Sequence, residues 1–145
     1  MKPDNRIIKV APTVSATAYA ANDIVGGRIA LGPVTVPSKL QSVTIIDRSA
    51  QAAALEIILL EKAPTASTIT DNAAPVWNAA EVDNIVARIP VAAGDYAAAI
   101  NGVRVANLSN LQRMVKGPDV TAILVTSGTP TYALNALTIK FGIEP

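Results

Sequence analysis

Polar and apolar residues alternate most cleanly at the end of the chain. Leu137, Ile139, Phe141 and Ile143 fall on one side of an extended segment, with Thr138 and Lys140 on the other. The same period of two sets Val43 and Ile45 against Thr44 and Ile46, and places Val103 and Val105 around Arg104. Residues 55–60 and 120–126 are apolar and β-branched almost throughout, which suits strands buried on both faces. The stretch 40–62 is the centre of the pattern: two apolar segments joined by a polar corner at 47–51, read as a hairpin. Residues 51–62 are also rich in helix formers. A helix would set Ala54, Ile57, Ile58 and Glu61 on one face and Leu55, Leu59 and Lys62 on another, with no clean polar face. The strand reading is therefore preferred, with Glu61-Lys62 discouraging further pairing at its end.

Other strand candidates are 6–10, closed by Ala11-Pro12, then 28–31, 67–70 and 85–90. Prolines on both sides of Val34-Thr35-Val36 predict a short edge segment or an extended loop. Asn22-Asp23, Gly94-Asp95 and Gly117-Pro118-Asp119 read as turns, and Asn101-Gly102 is the strongest hairpin signal. Gly26-Gly27 implies a bulge, a reversal or a close approach by another segment. Asn78 with Glu81 has capping-box spacing, as does Ser109 with Gln112, although Leu111, Arg113 and Val115 alternate as a strand would. Roughly eight to ten short strands separated by turns predict an all-β fold, an antiparallel β-sandwich or jelly-roll-like domain with long loops. Residues 1–10 read as a mobile N-terminal arm and 11–145 as a single domain, with 63–75 a long surface connection.

Composition narrows the chemistry. Half of the 145 residues are hydrophobic, but the aromatic ones are only Phe141, Trp77, Tyr19, Tyr96 and Tyr132. The charged fraction of 16% is low. It fits either an alanine-rich domain or a surface partly covered by a partner. Twelve basic and eleven acidic residues give a net charge of +1 with no basic run, which argues against nucleic acid. No apolar run has the ~18 residues of a membrane span, and residues 1–10 lack the apolar core of a signal peptide. His and Cys are both absent, which excludes the usual nucleophilic triads, thiol chemistry and the commonest metal ligand.

Carboxylates remain. Asp71, Glu81, Asp83 and Asp95 all sit in loop or turn context, where capping accounts for them as well as acid–base work does. Asp71-Asn72 and Asp83-Asn84 lack the spacing of a calcium loop, and residues 25–28 lack the rest of a phosphate cradle. No catalytic, metal or cofactor residue is expected, and no small-molecule substrate. Trp77 reads either as a partner anchor or as a lid over the core. The scattered tyrosines read as packing residues with their hydroxyls at the surface.

The segment Ala18-Tyr19-Ala20-Ala21-Asn22-Asp23-Ile24-Val25-Gly26-Gly27 resembles one found near the N-terminus of many small structural proteins of tailed bacteriophages. The resemblance continues through Val43-Thr44-Ile45-Ile46-Asp47, the strand 55–60, the Pro-Thr-rich loop 64–73 and the last strand within 136–142. Leu59-Leu60 stands where an aromatic residue is often found. Such proteins are head decoration (cement) proteins or related virion components. The resemblance implies a non-enzymatic β-sandwich that self-associates, often as a homotrimer, and binds the major capsid protein on the outside of the capsid lattice. Made in the host bacterial cytoplasm, it would reside on the virion. Capsid-contact candidates are Lys2, Arg6, Ile7, Ile8, Lys9 and Val10 in the arm, expected to order on binding, together with Trp77. A tail, neck or fibre-tip module is the other virion role in view, the last favoured by a surface groove of Trp77 and tyrosines.

Overall fold

The computed structural model describes residues 5–145. The chain is all-β and antiparallel: β1 (Arg6–Val10), β2 (Ile24–Asp47), β3 (Leu55–Leu60), β4 (Ile85–Val91), β5 (Tyr96–Ala98), β6 (Arg104–Leu108), β7 (Arg113–Thr126) and β8 (Leu137–Glu144). Among the described residues, one short helix, α1 (Ala79–Val82), and two 3-10 turns interrupt the connections. The strands form an unbroken ladder in the order β1-β8-β2-β7-β3-β4, with β6 also on β2 and β5 on β6. Two separate sheets would have no such link.

The link is β2. Its first part, up to Leu40, pairs with β7, while residues 39–47 pair with β8 and residues 43–47 lie between β8 and β6. One wing is therefore β2-β7-β3-β4 and the other β1-β8-β2-β6-β5. Segments expected to be separate, 28–31, 34–36 and 43–46, are all parts of this one strand. Pro33 and Pro37 do not end it, because both fall where the register with β7 shifts, on either side of the Val34–Gly117 pair. A residue between registered pairs owes no N–H to the ladder. The expected turn at Gly117-Pro118-Asp119 is likewise absorbed into β7. Gly117 is required there for another reason: a Cβ would collide with the backbone carbonyl of Glu61.

The corner at 47–51 is real, but β2 and β3 do not form the expected hairpin. β3 lies between β4 and β7. The Asn101-Gly102 hairpin forms as expected, with β5 and β6 paired around it and both turn residues at positive φ. Gly26 also has a positive φ and lies against Pro12, so bulge and close approach coincide.

Inward side chains of both wings bury in one core. Leu55, Ile57, Leu59 and Ile89 come from one wing and Ile45, Ile139, Phe141 and Ile143 from the other, with Val14, Tyr19 and Tyr132 added by loops. The opposite face of β3 has its own smaller core, where Ile58 and Leu60 meet Ile24, Ile69 and Ile123. Trp77 and Ile85 pack against that cluster from the 63–78 loop and the start of β4. This is why Leu55–Leu60 reads as apolar on both sides, and why a strand rather than a helix forms there. Among the described residues no helix is long and apolar enough to cross a membrane.

Candidate functional site

The side chains with acid–base potential are spent on the backbone. Asp47 is 1% exposed, and its carboxylate accepts N–H bonds from Ser49, Gln51 and Ala52 at 2.8–2.9 Å. A buried carboxylate is tolerable when donors converge on it in this way. Asp71 accepts from Tyr19 Oη and Gly26 N at 2.7 Å and from Ser15 N at 3.0 Å. Glu81 takes N–H bonds from Thr65, Ala66 and Ser67 and an O–H bond from Ser67 Oγ. Desolvation alone would raise its pKa, but Ser67 Oγ and the three amides together bring it down to about 2. The capping spacing at Asn78 is half fulfilled: Asn78 Oδ1 accepts from Ala80 N at 3.0 Å, while Glu81 reaches to the preceding loop. Asp95 accepts from Ala92 N at 2.8 Å. These carboxylates hold different corners, and no group of three or more acidic residues gathers as a metal site among the described residues.

The stretches 18–27 and 64–73 meet in space. Beyond the Tyr19–Asp71 bond, Ile24 N donates to Ala73 O at 2.9 Å and Asn72 N to Ile24 O at 2.8 Å. The stretches 18–27 and 64–73 thus form one joint at the start of β2.

The tyrosines are not at the surface. Tyr19, Tyr96 and Tyr132 are all buried, and the rings of Tyr19 and Tyr132 meet edge to face with centroids 6.0 Å apart. Burial, with the nearby Asp47 charge adding to it, pushes the pKa of Tyr96 up; burial does the same for Tyr132. The Tyr132 hydroxyl has no partner among the described residues. Their spacing in sequence held no signal of this convergence, because loops far apart in the chain bring them together. Trp77 is half-buried over the smaller core.

Of the contact candidates, Lys2 lies outside the described residues. Arg6, Ile7, Ile8, Lys9 and Val10 form β1, which pairs with β8 over its whole length. This corrects the expectation of an arm free through residue 10. Ile8 and Val10 pack on the core and Arg6 Nη2 donates to Pro33 O at 3.0 Å, so removing residues 1–10 would strip a strand from the sheet. Trp77 belongs to the other core and does not join them.

β1 is nevertheless at the rim. Its second edge has no ladder partner among the described residues, and Ile7 is 72% exposed. Two depressions of roughly 290 and 280 Å³ flank it, one lined by Arg6, Val34, Val36 and Ser38, the other by Ile7, Gln41, Ser42 and Gly142. The second exists because Gly142 puts no side chain between Ile7 and Ser42. The resulting surface is a strand edge with apolar and basic side chains, suited to contact with another protein. Compared with known proteins, the chain matches no family model, and no curated protein sequence is significantly similar to it.

Proposed function

We propose that this chain is a non-enzymatic virion structural protein, a decoration (cement) protein that binds the outer capsid lattice of a tailed bacteriophage and stabilises the head. The observation that carries this reading is the joint between residues 18–27 and 64–73: two of the segments that resemble phage structural proteins lock together through Tyr19, Ile24 and Asp71. The commitment of Asp47, Asp71 and Glu81 to backbone donors supports a role without catalysis. The rim around β1 supplies a surface for the major capsid protein, and self-association as a homotrimer belongs to the same proposal. The aromatic groove that would favour a fibre tip finds no support, since the tyrosines are buried.

The test is to heat particles of the parent phage that lack this chain, with and without the purified protein added back. Added protein is expected to raise the temperature at which DNA is released. An unchanged release temperature would refute the cement role.

A further inference from the structure

Strand pairing puts two lysines side by side. Lys9 of β1 and Lys140 of β8 are direct cross-strand partners. Both point away from the core side occupied by Ile8 and Phe141. Next across the sheet stand Thr44 and then Asn107, neither of which can neutralise them. Arg48 extends the row, its Nη1 donating to Thr138 Oγ1 at 2.9 Å two residues along β8 from Lys140. The carboxylate nearest along the strand, Glu144, is engaged with Gln41 Nε2 at 2.9 Å. The ion pair formed among the described residues, Arg88 with Glu56, is on the other wing.

Like charges directly opposite one another destabilise an isolated sheet. Here three cations share a face on which Ile7, Ile46 and Val105 also lie, with Ser42 and Gly142 keeping the relief low. We infer that this outer face of β1, β8, β2 and β6 docks a carboxylate-bearing protein surface. Nucleic acid fits less well, because no aromatic side chain on this face could stack a base. The inference rests on the proposed decoration role, and so places the carboxylates on the capsid shell. The Lys9–Lys140 repulsion is relieved when the partner supplies the missing anion.

The experiment is co-sedimentation of the full chain with shells of the parent phage prepared without it, at low and high salt, for the wild type, Lys9→Glu and Lys140→Glu. Either single change converts the repulsive pair into an attractive one. The expected result is a thermal midpoint equal to or above the wild type's, with shell affinity at least about tenfold weaker, or 1.4 kcal/mol. Wild-type binding should also weaken as salt rises. A purely structural role for the lysines would move stability and binding in the same direction. Wild-type binding that both variants retain in full would overturn the docking face and leave the decoration role standing. Failure of the wild type to bind would overturn both. Salt-sensitive binding to duplex DNA, lost in the same variants, would replace the protein partner with nucleic acid and overturn the inference.

Discussion

Asp47 is a charged side chain doing the work of a turn. It ends β2, and its two oxygens collect the amides of Ser49, Gln51 and Ala52, letting Ala50 and Ala52 adopt positive φ. Replacing it with alanine leaves three donors at the corner without their acceptor. At about 1–3 kcal/mol for each buried unsatisfied group, and with some water reaching the corner, Asp47→Ala should cost roughly 3 kcal/mol. Urea unfolding measures this directly, and a loss near zero would mean that the corner is held by something else. The sequence already marks Asp47 as the start of a polar corner. Its burial is not legible there, because the three donors lie within five residues but the wall that hides them comes from elsewhere in the fold. Tyr96 and Tyr132 make the same point: both contribute to the polar interior around Asp47, and each is isolated in sequence.

Among the elements, β2 and the 63–78 loop show what patterning can and cannot reveal. Alternation correctly sets Val43 and Ile45 on one side, which proves to be the core side, and the apolar run Leu55–Leu60 correctly implies burial on both sides. Proline reads as a terminator, yet β2 passes through Pro33 and Pro37, because bulges remove the demand for their N–H groups. Bulge positions depend on the partner strand, β7, more than 70 residues later, so local sequence cannot announce them. The loop depends on Glu81, whose carboxylate gathers the amides of residues 65–67. Its pKa is lower in the fold, about 2 against 4.5. The stability it contributes is therefore present above about pH 4.5 and lost as pH falls toward 2. Trp77, the single tryptophan, belongs to this loop, packs on the smaller core and so reports on the loop's seating. Its fluorescence should shift to longer wavelength over that acid window in the wild type. In Glu81→Gln the shift should already be present at neutral pH and be flat across the window. An identical pH profile in both proteins would show that Glu81 does not hold the loop.

At the scale of the whole molecule, an all-β antiparallel architecture was legible because strand periodicity and turn residues are local properties. The joining of both wings through one 24-residue strand was not, since pairing partners are set by tertiary contacts. The same distinction governs the surface. Residues 6–10 read correctly as a strand, but their place at the sheet rim, opposite β8, comes only from the register. Alternation sets Lys140 on the side opposite Leu137, Ile139, Phe141 and Ile143, while its neighbour Lys9 follows only from the register of β1 with β8. What emerges is a protein whose acidic side chains maintain its loops and whose free surface is a strand edge beside a basic sheet face. The most direct measurement is the number of copies of this chain per purified particle, relative to the major capsid protein, by quantitative mass spectrometry. A lattice-bound decoration protein predicts a copy number near a simple ratio to the capsid protein, because one binding site is repeated over the shell. A copy number matching a single vertex or the tail, or absence from the particle, would contradict it.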